Sequence, residues 1–487
     1  MRMSVRTASG VAPLLIGGIL AAPAYATDIF GAEEAAAELP QVWILMRRPA
    51  DPTPPDQVTP IGFDGDFAPV LAYLDTGASG ILISSGTAHP DFGLDIHNEV
   101  INGQPVKFFD TGATETAEFH VSELLDFEIA HYPGPPDELS FDDMATINET
   151  FNHIGRVRTQ MTPQPDSILD LSTTDIVGMP AMVNKVTVID ARLYNRPFDT
   201  NDPNAPLPVI RTFVQEPGTP YNPAADDYTR DDVIPGIPQT ERTVKLTFEN
   251  FDAFSHVDPT GAPRPNTADN PFIGASPLNP NDPNAPPGVS LFRAAGPGNN
   301  TVDGNFLLDT GAQVSFMSSA KAAGLGVVDF NPATGDQEFD ADGFPILFDS
   351  QTGSAVPYFS TFIQGASGDA VGVSGFYTDY LSIPTEEGDP LVFHNASFLI
   401  IDIELEDALG NIILLDGAIG SSFLMPTFDI NTLDLVGGPF DWVVFDEPNA
   451  ELRFAFAPYV PEPSAVSLLM FASTAVLARR RRRASAA

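Results

Sequence analysis

Short apolar runs separated by clusters of glycine, proline, asparagine and aspartate recur along residues 27–459. Representative runs lie at 42–46, 70–74, 244–248, 306–308 and 398–401. Runs of this length between turn-forming residues are typical of β-strands. Almost no stretch keeps a helical period over three turns, so the pattern predicts an all-β chain.

The first 26 residues have a different pattern. Arg2 and Arg6 are followed by an apolar stretch that ends in the small-x-small sequence Ala-Tyr-Ala at 24–26. This order is typical of a secretory signal peptide, cut here before Thr27. A first transmembrane helix is the less favoured interpretation, because the apolar run is short and contains proline and glycine.

The last segment, 460–487, contains Pro-Glu-Pro at 461–463, an apolar stretch at 464–478 and five arginines at 479–483. The apolar stretch is marginal for crossing a bilayer, which takes about 20 residues. Arginines would hold that end on the cytoplasmic side. The plain interpretation is a tail anchor. The three-part order, however, resembles the PEP-CTERM sorting signal of Gram-negative bacteria. That resemblance implies transient inner-membrane association, cutting by an exosortase-like enzyme, and a final location at the cell surface, in the outer membrane or outside the cell.

Composition excludes several classes of function. The chain has 65 acidic and 23 basic residues, a formal net charge of −42, and no cysteine. Nucleic-acid binding is excluded because the phosphate backbone is recognised by basic surfaces. The absence of cysteine excludes disulfide scaffolds, thiolate metal sites and thiol nucleophiles. At 43% hydrophobic residues, wholesale disorder is excluded as well.

Two stretches rich in proline and aspartate, 197–239 and 258–300, interrupt the strand pattern. Each contains the string Asn-Asp-Pro-Asn-Ala-Pro, at 201–206 and 281–286. Such composition is typical of extended loops and linkers. We therefore divide the chain near 240, into an N-terminal lobe (27–240) and a C-terminal lobe (241–459). Asp202 or Asp282 would suit Ca²⁺, but ordinary turns are the favoured interpretation, and no metal is predicted.

One motif occurs in both proposed lobes. Asp-Thr-Gly-Ala stands at 75–78 and at 309–312, each time after one apolar run and before another. An apolar-apolar-glycine element follows, ending at Gly178 in the first case and Gly420 in the second. The distances from Asp75 to Gly178 and from Asp309 to Gly420 are 103 and 111 positions. The spacing predicts two diverged copies of one β lobe.

Together with the final runs at 419–424, 442–446 and 452–457, these motifs resemble the bilobal aspartic proteases of the pepsin class. The resemblance spans roughly 40–458 and implies two related β lobes with the active site in the cleft between them. The disulfides of typical pepsins are absent. The residues that it implicates are catalytic Asp75 and Asp309, the loop residues Thr76, Gly77, Thr310 and Gly311, and Gly178 and Gly420 on the strands that support the loops.

Electrostatics explains why two such loops would make an enzyme. Two carboxylates about 3 Å apart cannot both ionise, so they hold one proton between them and activate a water without metal or cofactor. Thr76 and Thr310 are expected to hydrogen-bond across the lobe interface. Ala78 and Ala312 stand where pepsin-like lobes often have serine or threonine. Lacking that hydroxyl, the pair is expected to work at weakly acidic or neutral pH.

A third Asp-Thr-Gly-Ala stands at 110–113. Residues 115–119, which follow it, are polar where an apolar strand should continue, and the distance from Asp110 to Gly178 is only 68 positions. Asp75 is therefore the preferred catalytic residue. The third copy is assigned to the flap, the hairpin that covers substrate in this family, with Phe108, Phe109 and Asp110 as candidates.

The sequence thus predicts an exported, monomeric aspartic endopeptidase that acts on a peptide or protein substrate. The alternative is a non-catalytic acidic surface or matrix protein that binds peptide, polymer or calcium on the same β scaffold.

Overall fold

A computed structural model of the chain describes most of residues 27–456. Outside the described part lie 1–26, 30–34, 50–58, 61–68, 90, 92, 112–115, 133–150, 166, 168–169, 193, 195–208, 219–240, 250–261, 275–292, 297, 299, 364–369, 389, 407–411, 429–434 and 457–487. The signal peptide, the tail and both Asn-Asp-Pro-Asn-Ala-Pro strings therefore lie outside the described residues.

Strands dominate both halves of the described chain. Those that precede the proposed boundary are β1 (Thr27–Ile29), β2 (Ala35–Ala36), β3 (Gln41–Arg48), β4 (Thr59–Pro60), β5 (Val70–Leu74), β6 (Ile81–Ile83), β7 (Val100–Ile101), β8 (Gln104–Pro105), β9 (Lys107–Thr111), β10 (Thr116–Val121), β11 (Leu125–Ala130), β12 (Asn152–Val157), β13 (Gln160–Met161), β14 (Ile176–Val177), β15 (Val186–Asp190) and β16 (Arg211–Gln215).

The described part of the second half adds further strands and the α-helix α1 (Ser319–Leu325). Its strands are β17 (Glu241–Lys245), β18 (Thr247–Glu249), β19 (Asn270–Ile273), β20 (Arg293–Ala295), β21 (Thr301–Asp303), β22 (Phe306–Asp309), β23 (Phe316–Met317), β24 (Val327–Val328), β25 (Phe348–Asp349), β26 (Phe359–Ile363), β27 (Val371–Ile383), β28 (Leu391–Ile400), β29 (Glu404–Glu406), β30 (Ile412–Leu414), β31 (Gly417–Gly420), β32 (Thr427–Phe428), β33 (Leu435–Gly437), β34 (Phe440–Asp446) and β35 (Glu451–Phe456).

Two large sheets repeat one arrangement. The first contains the order β3-β5-β14-β6-β13-β10-β9, and the second contains β19-β22-β31-β23-β28-β27-β26. Strand directions agree at every step: each Asp-bearing strand runs parallel to the glycine-bearing strand, which runs antiparallel to the strand after the Asp loop. The prediction of an all-β fold with two related lobes is confirmed.

A third sheet joins the two halves. Its order is β16-β15-β34-β35-β17, so β16 and β15 of the first half join the sheet through the pairing of β15 with β34, near the end of the chain. β15 pairs with β34 over five residues, from Val186 opposite Asp446 to Asp190 opposite Trp442. The two lobes therefore share a continuous hydrogen-bonded sheet.

The first two strands cross to the other half. β1 runs parallel to β28, with Thr27 opposite Leu391, and β2 pairs with β32. Ala36 also donates its N–H to Gln313 O at 2.8 Å, just after the second Asp loop. The beginning of the first half thus contributes to the support of the second.

One extended apolar core underlies both sheets and the joining sheet. In the second half its largest members are phenylalanines, and the rings of Phe393, Phe398 and Phe423 lie 5.1–5.4 Å apart, centroid to centroid, around Phe423. Aromatic pairs at this spacing stabilise a core beyond the area that they bury. The core therefore gives the Asp loops a rigid base.

Candidate active site

The two predicted loops meet between the lobes. β5 ends at Leu74 and β22 ends at Asp309, so each carboxyl stands where an apolar strand turns. A methyl group placed on Gly77 would lie 2.6 Å from Asp309 Cγ, and one placed on Gly311 would lie even closer to the carboxyl of Asp75. Each glycine thus passes directly beside the carboxyl group of the opposite loop, which is why no side chain fits there.

Backbone amides hold each carboxylate in place. Asp75 Oδ1 accepts the N–H of Gly77 at 2.7 Å and of Ala78 at 3.2 Å. Asp309 Oδ1 accepts the N–H of Gly311 at 3.1 Å and of Ala312 at 2.9 Å. The same turn therefore binds both carboxylates, and the alanines contribute only their amides.

The carboxyl groups of Asp75 and Asp309 are hydrogen-bonded to each other. Burial raises the pKa of Asp75 above its ordinary value, while bonds from Asp309 and from neighbouring N–H groups lower it in part. Burial raises the pKa of Asp309 well above its ordinary value, and the charge of Asp75 raises it further. The pair therefore holds one proton between its two carboxyl groups. Both residues are only half-buried, so water reaches the pair.

The threonines link the loops as expected. Thr76 Oγ1 donates to Leu308 O at 2.6 Å and accepts the N–H of Thr310 at 3.1 Å. Thr310 Oγ1 donates to Leu74 O at 2.8 Å and accepts the N–H of Thr76 at 3.1 Å. This reciprocal set of four bonds is buried, and it fixes the distance between the two aspartates.

Gly178 and Gly420 lie against the loops from behind. A Cβ on Gly178 would collide with the carbonyl oxygens of Ala78 and Gly80, and one on Gly420 with those of Ala312 and Val314. The residue after each glycine donates its N–H to the loop: Met179 to Ala78 O at 2.9 Å, and Ser421 to Ala312 O at 2.8 Å. These glycines permit the close approach that keeps the turns rigid.

A further contact was not predicted from sequence. Asn270, at the start of β19, donates Nδ2 to Thr76 O at 3.0 Å, and nearby Ala268 donates its N–H to Ser79 O at 2.9 Å. Both residues belong to the second half yet hold the first loop. Residues 262–270 carry no motif or periodicity that would have indicated such a role.

The flap candidates lie on a hairpin. β9 and β10 pair antiparallel, with Asp110 opposite Ala117, and the Phe108 ring stacks on Phe119 with centroids 5.8 Å apart. The tip, 112–115, lies outside the described residues. In sheet order β14, β6, β13 and β10 separate β9 from β5. Asp110 therefore lies on a strand that does not pair with β5, the strand that leads into Asp75.

The described residues contain no cluster of three or more His, Asp or Glu side chains arranged to hold a metal ion. Within the same part of the chain, no helix has both the length and the apolar character needed to span a membrane.

Comparisons with known proteins give only distant similarities. No family model and no curated protein sequence matches this chain. Among solved structures, basic 7S globulin from soybean has 8% identity and a TM-score of 0.33, covering 86% of this chain and 95% of that one. An aspartic proteinase from Irpex lacteus has 12% identity and a TM-score of 0.30, covering 81% and 92%. Values this low establish neither family nor activity.

Proposed function

We propose that the chain is an aspartic endopeptidase. The observation that carries this proposal is the pair formed by Asp75 and Asp309, two hydrogen-bonded carboxyls on equivalent loops of two related lobes. A structural role alone would not need two carboxyls whose burial opposes ionisation. The half-buried position of both residues leaves the pair open to water and substrate.

The proposed mechanism assigns the negative charge to Asp75 and the shared proton to Asp309. Charged Asp75 takes a proton from a water as the water attacks the peptide carbonyl. Protonated Asp309 donates to the oxygen on which negative charge develops. The roles then reverse, and the proton is delivered to the leaving amine as the C–N bond breaks. The pair titrates as a unit, so activity requires the singly protonated form.

Cleavage of a peptide library by the wild-type protein and by two variants tests the proposal. Asp75→Asn and Asp309→Asn remove the ionisable groups with little change of shape, and each should lower kcat/KM by about 10²–10⁴-fold or more. Pepstatin should inhibit the wild type. Asp110→Asn, in the third Asp-Thr-Gly-Ala, is the matched control and should change kcat/KM by less than about tenfold, since it is not asked to move a proton.

Cleavage that survives Asp75→Asn at the wild-type rate would exclude this assignment. A wild-type protein that cleaves no peptide but binds peptide, polymer or calcium would instead favour the acidic surface or matrix protein.

We further propose export, on the sequence patterns of the two ends. Residues 1–26 direct the chain across the inner membrane, and the tail holds it there until an exosortase-like enzyme cuts near Pro-Glu-Pro. N-terminal sequencing should place the mature start at Thr27. Replacing 461–463 by alanines should leave the protein in the membrane fraction, whereas unaltered release would argue against a sorting signal.

A further inference from the structure

In both Asp loops, one peptide unit makes hydrogen bonds through both its N–H and its carbonyl. In the first loop this unit joins Thr76 to Gly77: its N–H donates to Asp75 Oδ1 at 2.7 Å, and its carbonyl accepts the amide of Asn270 at 3.0 Å. Thr76 and Asn270 are 2% and 1% exposed, so water does not compete for these bonds. A carbonyl that accepts a bond makes the N–H of the same peptide a stronger donor.

The equivalent peptide of the second loop receives its hydrogen bond from a different side chain. Gly311 N–H donates to Asp309 Oδ1 at 3.1 Å, and Thr310 O accepts the hydroxyl of Ser421 at 2.8 Å. Ser421 directly follows Gly420 and belongs to the same lobe. The corresponding residue after Gly178 is Met179, whose thioether cannot donate a hydrogen bond. The first loop therefore takes its donor from the opposite lobe.

Asn270 is held in place by the backbone around it. It lies opposite Glu249 in the pairing of β18 with β19, and Ala268 anchors the preceding residues to Ser79 O. The backbone of Asn270 is thus fixed on both sides, and its buried side chain donates to the Thr76 carbonyl from that fixed position.

We propose that Asn270 is a positioning residue for the aspartate pair. Its amide holds and polarises the Thr76–Gly77 peptide and so stabilises the charged form of Asp75. Ser421 stabilises the charged form of Asp309 in the same way, through the Thr310–Gly311 peptide. Asn270 makes its side-chain hydrogen bond to the Thr76 carbonyl and not to either carboxyl group.

The proposal rests on the proposed function only for its catalytic consequence, because the titration of the pair is a property of the folded protein. Burial raises the pKa of Asp75, and hydrogen bonds from the carboxyl of Asp309 and the N–H groups of Gly77, Ala78 and Gly311 lower it. Of these N–H groups, that of Gly77 belongs to the peptide whose carbonyl Asn270 binds.

The test is a ¹³C NMR titration of the aspartate carboxyl carbons, with Asp75→Asn and Asp309→Asn to identify the two signals, alongside the pH profile of kcat/KM. Asn270→Leu should raise the lower apparent pKa of the pair, and the acidic limb of the profile, by about 0.3–1 unit. A rise of about 0.3 unit is expected if the Thr76–Gly77 peptide only loses its polarisation. A rise of about 1 unit is expected if the hydrogen bond from Gly77 N–H to Asp75 is lost altogether. Ser421→Ala should instead raise the upper pKa and move the basic limb.

Asn300→Leu is the matched control. Asn300 also donates Nδ2 to a backbone carbonyl, Leu325 O at 3.3 Å, away from the pair. It should lower stability without moving either pKa. If Asn270→Leu moves neither pKa, or if Ser421→Ala shifts the lower one, the proposal is overturned. If Asn270→Leu fails to fold, Ser421→Ala decides the test alone. An unchanged upper pKa in that variant would refute the proposal that a bonded peptide carbonyl stabilises the charged aspartate.

A wild-type protein without peptidase activity would refute the proposed function but leave the titration intact. The two failures are therefore separable.

Discussion

At the scale of single residues, the chemistry of the pair is set by groups that bind the carboxylates and by a group that is missing. Ala78 and Ala312 donate only their backbone N–H, where a serine would add a hydroxyl bond to the ionised form. Burial raises the pKa of both aspartates. Activity should therefore be lost at low pH as Asp75 becomes protonated, and at higher pH as Asp309 loses its proton.

Ala78→Ser should move the acidic limb of the pH profile of kcat/KM downward, because a hydroxyl bond favours charged Asp75. A shift of about one unit is expected for one added bond to a carboxylate. Ala312→Ser, its counterpart on the other loop, should move the basic limb instead. A wild-type optimum below about pH 3, under the ordinary pKa of an aspartate, would contradict the role given to the alanines.

Sequence predicted the residues that repeat and missed those that do not. The meeting of Asp75 and Asp309 was predictable because their motif and flanks occur twice, and the polar residues after Asp110 distinguished the third copy. Asn270 could not be found, since it lies nearly 200 positions from Thr76 in a segment without pattern. Its hydrogen bond to Thr76 O forms only because the fold brings the first Asp loop next to β19.

At the scale of elements, the hydrogen bonds between the loops are what make two lobes into one site. The Thr76 hydroxyl serves Leu308 O and Thr310 N–H together, so its loss leaves two buried groups without partners. Each such group costs about 1–3 kcal/mol.

Thr76→Val keeps the shape and should lower the free energy of unfolding by about 2 kcal/mol or more, measured by urea denaturation. Activity should fall with it, because the distance between the carboxyls is no longer fixed. Thr187→Val is the control: Thr187 is buried, and its hydroxyl has no hydrogen-bond partner among the described residues. Equal losses in the two variants would show that the bonds between the loops contribute nothing.

Element pairing was predictable only in part. The order of an apolar strand, an Asp turn and an apolar-apolar-glycine strand indicated β5, β6 and β14 and their counterparts. The pairing of β1 with β28 joins residues more than 360 positions apart. A strand of two or three residues has too little periodicity to predict which strand it pairs with.

At the scale of the whole molecule, the sheet that joins the lobes has a charged interior. Asp190 is fully buried and binds Arg192 Nε at 2.8 Å and Nη2 at 2.6 Å, and it also pairs with Arg211. Burial alone would raise the pKa of Asp190, but the hydrogen bonds and charges of the two arginines lower it overall. The chain has a net charge of −42, and this cluster places the buried positive charges of Arg192 and Arg211 within the joining sheet.

Asp190→Asn should lower the free energy of unfolding at neutral pH by about 3–5 kcal/mol, because two arginines lose a buried counter-charge. Since the folded pKa of Asp190 is depressed, the wild type keeps this stability above the unfolded pKa near 3.9 and loses it as pH falls through the folded value. The difference in the free energy of unfolding between Asp190→Asn and wild type should therefore become smaller in strong acid. Asp126→Asn, which removes the partner of exposed Arg156, should cost at most about 1 kcal/mol. If the difference in the free energy of unfolding between Asp190→Asn and wild type stays constant with pH, the lost stability comes from packing and not from charge.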